Sequence, residues 1–394
     1  MKILGIESSC DETAAAIVED GYRLLSNVVA SSMDLHAQYG GVVPEIAARS
    51  HIEVVDGVIQ QALDEADCAW DDIDAIAVTY GAGLGGSLLI GVLTARTLAI
   101  TKGKPLYAIN HVEGHVYANF LTEVKKSPVQ SAGSEQSELG EEQGRHERSK
   151  VSPEEGLAPP GKGGNSLSDY RLPSRQPAFP VLALIVSGGH SQLALFRDHF
   201  DYTLLGQTQD DAIGEAFDKV AKILGLPYPG GPSVGKKALD GNPTAFKLPK
   251  SKMSEKYDFS FSGIKTAVLR VAQEQIGETF AFPSKDIPAR LDEAQKADIA
   301  ASFQRVAVET VVDKTMLAYN EFQPASVVIA GGVAASPELR KQLAERLPIT
   351  IEYTDPRLCT DNGAMIATLG CFHMKLGRLM ADPHSLDIKP NLSM

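Results

Sequence analysis

The chain has 394 residues, a formal net charge of −13, 43% hydrophobic residues and 22% charged residues. That balance suits a soluble enzyme with two cores and argues against broad, non-specific binding to nucleic acid. The longest apolar run, Ser87 to Ile100, is broken by Gly91, Thr94, Arg96 and Thr97, so no membrane span and no membrane partner are expected. The four cysteines, Cys10, Cys68, Cys359 and Cys371, form no C-x-x-C pair, which points away from a disulfide scaffold or zinc ribbon. The start of the chain reads as a strand with no basic leader, and a cytoplasmic location is expected.

In chain order, the spacing predicts strands over Ile3–Glu7 and Ala14–Val18, joined by the turn Ser8-Ser9-Cys10-Asp11-Glu12-Thr13. Asp20-Gly21 then marks a tight hairpin into a strand over Tyr22–Val29. A long amphipathic helix follows Pro44, with Ile46, Val54, Val55, Val58, Ile59, Ala62 and Leu63 on its apolar side. A strand over Ala75–Thr79 feeds the glycine-rich run Gly81-Ala82-Gly83-Leu84-Gly85-Gly86, and a helix begins near Ser87. The strand Leu106–Ile109 leads into Asn110-His111-Val112-Glu113-Gly114-His115. If that run opens a helix, His111 and His115 share one face and two imidazoles reach one divalent cation. Two histidines do not complete a site, so a third ligand is sought elsewhere.

Residues 127–178 contain no Ile, Phe, Trp, Met or Cys and are dense in Ser, Glu, Gly, Pro and Gln. Too little apolar area is available there to offset ordering entropy, so a disordered insertion is expected, bounded at 123–178. Beyond it the opening pattern returns. The strand Val181–Val186, the turn Ser187-Gly188-Gly189-His190-Ser191 and the strand Gln192–Phe196 echo the first hairpin, and Val327–Ile329, Gly331-Gly332 and a helix from Pro337 echo residues 75–87. The repeat predicts a duplicated α/β unit: one domain over 1–122 and a second over 179–394, whose last helix packs back on the first. Glycine turns feeding helix N-termini in both halves point to an anion, most commonly phosphate, in the cleft between them. A basic track, Lys247, Lys250, Lys252, Lys256, Lys265 and Arg270, stands out from the acidic background.

Taken together these stretches resemble the actin, sugar kinase and heat-shock ATPase superfamily. Within it the chain is similar to the tRNA N6-adenosine threonylcarbamoyltransferases. The resemblance rests on residues 5–14, 40–45, 110–115, 186–190, 210–219, 228–232 and 259–263, and on Thr360-Asp361-Asn362-Gly363-Ala364-Met365. It implies duplicated actin-like (ribonuclease H-like) domains facing across a nucleotide and metal cleft. It further implies transfer of a threonylcarbamoyl group from threonylcarbamoyl-AMP to N6 of the adenosine 3′ of the anticodon, in tRNAs reading codons that begin with A.

By the same resemblance His111, His115 and Asp361 bind one divalent metal, Fe(2+) in preference to Zn(2+). The donor's contacts fall on Ile185, Val186, Ser187, Gly188, Gly189, Asp218, Gly231 and Ser336. Position 336 is Ser where many members carry Asn, and Ala82 stands where a proline is frequent. Asp11 and Glu12, two acids in the first turn, are candidates for the base that takes the N6 proton. The implied partners are tRNA, a same-fold paralogue subunit and a small ATPase subunit. A helical His pair also suggests a metalloprotease, but that chemistry needs Glu directly after the first His, and Val112 stands there. A sugar kinase or chaperone-like ATPase, or a non-enzymatic scaffold, leaves the two histidines and Asp361 unexplained.

Overall fold

A computed structural model describes residues 1–125 and 167–394. Among these described residues ten strands make two sheets. The first half carries β1 (Lys2–Glu7), β2 (Glu12–Glu19), β3 (Arg23–Ser31), α1 (Met33–Ala37), α2 (Pro44–Ala66), β4 (Ala75–Gly81), α3 (Gly85–Lys102), β5 (Leu106–Asn110), α4 (His111–Tyr117) and β6 (Glu123–Val124). The second half carries β7 (Val181–Val186), β8 (Ser191–Asp198), β9 (Asp201–Gln207), α5 (Ile213–Leu224), α6 (Gly230–Ala238), α7 (Ser262–Gln275), α8 (Glu293–Phe322), β10 (Ser326–Ala330), α9 (Pro337–Arg346) and α10 (Gly363–Lys375).

The sheet orders reveal the duplication directly. The first runs β5-β4-β1-β2-β3-β6 and the second β10-β7-β8-β9. In each half the first strand pairs parallel with a later one, β4 or β10, and antiparallel with the next. The third strand closes the meander antiparallel. The shared unit is therefore β4-β1-β2-β3 matched by β10-β7-β8-β9, as the strand–turn–strand echo predicts.

Alternation along the central strands builds three apolar layers. On β1, Leu4 and Ile6 join α2 and α3 on one face, while Ile3 looks the other way. On β7, Leu182, Leu184 and Val186 join α5, α7 and α8, whereas Val181, Ala183 and Ile185 face inward. The middle layer holds α4 and α10, packed between the two sheets. The last helix thus lies against β1, β2 and β4 of the first half. Its approach is so close that a Cβ at Gly5 would sit 2.3 Å from the Gly363 carbonyl oxygen. This layering fixes the site, because α4 and α10 both begin at the opening between the sheets.

The expected insertion over 123–178 needs correction at its edges, and residues 126–166 lie outside the described residues. Glu123 and Val124 pair with β3. Leu167, Tyr170 and Leu172 pack on the middle layer. The Asn27 amide donates to the Tyr170 hydroxyl at 3.3 Å, and the Arg357 guanidinium lies 3.8 Å from the Tyr170 ring centre. Averaging composition over the whole stretch hides the few apolar residues at its end that anchor it. Smaller shifts occur at helix and strand ends, where α3 starts at Gly85 and β3 runs to Ser31.

Candidate functional site

The strand β5 delivers Asn110 to the mouth between the sheets, and Asn110 starts α4 by capping it. Its Oδ1 accepts the Val112 and Glu113 N–H groups at 2.8 and 3.2 Å. His111 and His115 then fall on one helix face with ring centres 4.7 Å apart. From the other half, Asp361 arrives just before Asn362, which caps α10 by accepting the Met365 N–H at 3.0 Å. Asp361 Oδ1 lies 3.3 Å from His115 Nε2 and 3.6 Å from His111 Nε2. One ligand atom from each of the three residues lies within 4.8 Å of the others.

The donor set fits a first-row divalent ion. Both ring nitrogens of buried His115 lack a hydrogen-bond partner, a state that natural cores avoid unless something absent satisfies it. On His111 the second nitrogen is oriented: Nδ1 lies 3.2 Å from Glu7 Oε2 and 3.1 Å from Ser9 Oγ, leaving Nε2 toward Asp361. Glu7 is wholly buried, accepts the Ser9 N–H at 2.6 Å, and accepts the Thr79 hydroxyl at 2.5 Å. Burial acts to lower the His111 pKa, but the Asp361 and Glu7 carboxylates outweigh it and raise it to about 9. Burial pushes the Asp361 carboxyl up, yet His111 and His115 hold it well below the ordinary range. His190, 6.4 Å from His111 by ring centres, drops to about 4 through burial and its two histidine neighbours.

These residues open onto a cavity of about 590 Å³ between the halves. Ser187, Gly188, Gly189 and Asp218 line one wall, and Asp11 and Glu12 line the other. The 187–190 turn is closed by the Ser187 N–H to His190 carbonyl bond at 2.8 Å. A Cβ at Gly188 or Gly189 would meet nothing within 4 Å, so their backbone is open to a ligand. Asp218 Oδ1 accepts the Gly230 N–H at 2.6 Å, while burial raises its pKa. The Ser31 hydroxyl donates to Glu12 Oε1 at 3.3 Å. Burial, then Asp361 and Asp11, push the Glu12 carboxyl well above its ordinary range. The N-terminal ends of α3, α4 and α10 all reach this cavity, giving it the positive end of three helix dipoles.

The other expected donor contacts lie elsewhere. Ile185 and Val186 are wholly buried, their side chains in the middle and outer apolar layers respectively. Any contact they make is through backbone. Gly231 lies in the first turn of α6, open to space but outside the cavity wall. Ser336 caps α9, its hydroxyl oxygen 3.5 Å from the Leu339 nitrogen, which accounts for Ser at that position without a ligand. Sequence reasoning missed Glu7, Lys219, Lys222 and Tyr228, the last three of which line the cavity. A buried Glu ending a strand beside a Ser-rich turn was the available signal for Glu7. The basic track is thinner than its sequence suggests. Lys250 pairs with Glu309 and Asp313, Lys256 with Glu321, and Lys265 lies 3.8 Å from Asp211. Among the described residues Lys247 and Lys252 have no ion-pair partner, and Arg270 lies over the Phe280 ring.

Repeated α/β sheets that flank two central helices, with a His–His–Asp group at their shared mouth, define a duplicated α/β protein with a cleft suited to a metal. A solved structure of full-length HypF in its phosphate- and nucleotide-bound form shares this fold, with a TM-score of 0.52, 12% identity, and coverage of 95% of this chain and 56% of that one. Residues 23–155 and 167–368 match the family model for tRNA N6-adenosine threonylcarbamoyltransferase, and the chain belongs to that family. Relatives so named come from Thermomicrobium roseum, 45% identical over 93% of this chain and 90% of that protein, and from Desulfitobacterium hafniense, 43% identical over 100% and 98%. The protein is a transferase of tRNA-modification chemistry. No helix among the described residues is long and apolar enough to cross a membrane.

Proposed function

We propose that the chain transfers the threonylcarbamoyl group of threonylcarbamoyl-AMP to N6 of the adenosine 3′ of the anticodon, in tRNAs reading codons that begin with A. The observation that carries this reading is the shared cavity: the His111–His115–Asp361 group and the open Gly188–Gly189 backbone face one space of about 590 Å³. The donor is a mixed anhydride with a good leaving group. The protein's tasks are to hold the amine against the carbamoyl carbon and to stabilise developing negative charge. The N6 nitrogen forms the new C–N bond, the C–O bond to AMP breaks, and the N6 proton passes to a base.

Ser187, Gly188 and Gly189 offer backbone N–H groups to the adenylate, and Asp218 offers its carboxylate to ribose hydroxyls. Of the other expected contacts, Ile185 and Val186 lie behind that wall and can reach the donor through backbone only, while Gly231 and Ser336 stand outside it. His111, His115 and Asp361 hold one divalent ion, Fe(2+) before Zn(2+), which when bound supplies a Lewis acid for donor oxygens. Glu12, on the cavity wall, is one candidate base. Asp11 lies beside it on the same wall.

Lys247, Lys252 and Arg270 contribute a short basic patch toward tRNA phosphates, and a partner surface supplies the rest. A same-fold paralogue would cover exposed apolar residues of α2 and α3, namely Ile52, Leu89, Leu93 and Ile100. A small ATPase subunit completes the assembly, and the cytoplasm is the setting. The test supplies threonylcarbamoyl-AMP and an ANN-decoding tRNA, with and without such partners, and weighs the nucleoside product. No modified nucleoside under any combination overturns the proposal. Elemental analysis of the purified protein decides between iron and zinc.

A further inference from the structure

The helix α4 has a second face that borders a cavity. His111 and His115 look into the cleft, and Glu113 is turned about 200° from His111 at 3.6 residues per turn. There it meets a separate cavity of about 360 Å³, walled by Glu113, Phe200, Tyr202, His373, Arg378 and Leu379. Glu113 is only 8% exposed, and its Oε1 is sealed from solvent without a hydrogen-bond partner. A carboxylate left unpaired at that depth is costly, and marks a donor that the folded chain does not supply. Across the cavity the Arg378 guanidinium lies 4.4 Å from the Phe200 ring centre; its charge acts on the Glu113 carboxyl against burial, but it makes no direct ion pair among the described residues. Phe200 is held edge-on by His373 at 4.7 Å and Tyr202 packs on Phe196 at 4.8 Å, while Leu379, 94% exposed, stands at the rim.

We propose that this cavity binds a free α-amino acid with an apolar or aromatic side chain. The ammonium group donates to Glu113, the carboxylate pairs with Arg378, and the side chain rests on Phe200, Tyr202 and Leu379. A simple amine leaves Arg378 unmatched, and a simple acid leaves Glu113 unmatched. Only a zwitterion satisfies both ends. Because Glu113 lies between His111 and His115 on one helix, an occupant presses on α4 from the face opposite the cleft. The site stands independently of the transfer reaction proposed above.

Calorimetric titration of the full chain with L-leucine, L-phenylalanine and L-threonine tests the proposal. Isopentylamine and 4-methylpentanoate serve as the half-charged analogues of leucine. At least one of the apolar amino acids binds with one-to-one stoichiometry, and both analogues bind at least about tenfold more weakly, the loss of one charge-assisted contact. Glu113→Gln and Arg378→Met each weaken the amino acid by a similar factor. Melting curves establish that each variant is folded. Arg378 is exposed, so its variant decides the matter if the buried one fails to fold. Absence of binding by both L-leucine and L-phenylalanine at millimolar concentration overturns the proposal, whether or not L-threonine binds. So does an amine that binds as well as leucine, or a folded Arg378→Met protein with unchanged affinity.

Discussion

Asn110 and Ser393, 283 positions apart, are joined by one hydrogen bond in which the Asn110 Nδ2 donates to the Ser393 carbonyl at 3.1 Å. The other end of the same amide caps α4, so one side chain ties the histidine-bearing helix to the C-terminal segment. That segment is itself strapped down. The Lys389 N–H donates to the Tyr80 carbonyl at 2.7 Å, the Gly83 N–H donates to the Pro390 carbonyl at 3.1 Å, and Arg96 donates to the carbonyls of Pro383, His384 and Leu386.

Replacing Asn110 with Ala removes the bond to Ser393 and both cap bonds. The expected loss is about 1 kcal/mol from the cap alone, a fall in Tm of about 1 °C for a chain of this length. Deleting residues 389–394 destabilises in the same direction and lowers metal retention as α4 loosens. Thermal melting with chelator competition checks both, and an unchanged melt for Asn110→Ala would contradict the capping role.

Glu7 orients His111 from behind, so Glu7→Gln should leave the fold intact and weaken metal retention by about 10- to 100-fold, the usual effect of a lost carboxylate–histidine contact. Competition with a coloured chelator measures this. Retention equal to that of the parent chain would mean that Ser9 alone sets the ring.

Two glycines of opposite character separate folding from binding. Gly5→Ala drives a Cβ to 2.3 Å from the Gly363 oxygen and 2.4 Å from the Ala367 nitrogen, both backbone atoms that cannot yield cheaply. A loss of about 3 kcal/mol or more, or failure to fold, is expected. Gly189→Ala meets no atom within 4 Å and should melt like the parent. It should instead weaken binding of an acyl-adenylate analogue, measured by calorimetry. Full affinity in that variant would remove the 188–189 backbone from the donor site.

Acid stability should report on Asp355. Burial raises its pKa, but the Arg357 guanidinium and the N–H groups of Arg171 and Arg357 hold it down to about 2, below the ordinary 3.8. A folded pKa below the unfolded value stabilises above the unfolded pKa, and that contribution is lost as pH falls through about 4 toward 2. The contribution is about 2 kcal/mol at neutral pH. Asp355→Asn should lower the urea midpoint near neutrality, with the gap to the parent closing as the pH approaches about 2. A gap independent of pH would show that Asp355 acts by shape alone.

Legibility in the sequence followed the range of the physics. Strand alternation, the Asp20-Gly21 hairpin, the Pro44 helix start and the His111–His115 spacing depend on neighbours within a few residues. Each could be read before any fold was known. The duplication was legible for the same reason, as one local pattern written twice. The flank at 167–178 misread because three residues, Leu167, Tyr170 and Leu172, bind to surfaces that composition cannot see. The lysine track misread because Asp211, Glu309, Asp313 and Glu321 come from other elements to neutralise half of it.

By itself the sequence determined that two imidazoles share one helix face, since a four-residue step is set by backbone geometry. A family resemblance named Asp361 as the third ligand, but only the tertiary structure decided how it meets them. The packing of α10 between the sheets sets Asp361 Oδ1 at 3.3 and 3.6 Å from the two Nε2 atoms. The same packing put Glu7 behind His111, buried Ile185 and Val186 away from the cavity, and turned Glu113 toward a cavity of its own. Such placements come from long-range burial of apolar faces, which no local pattern encodes.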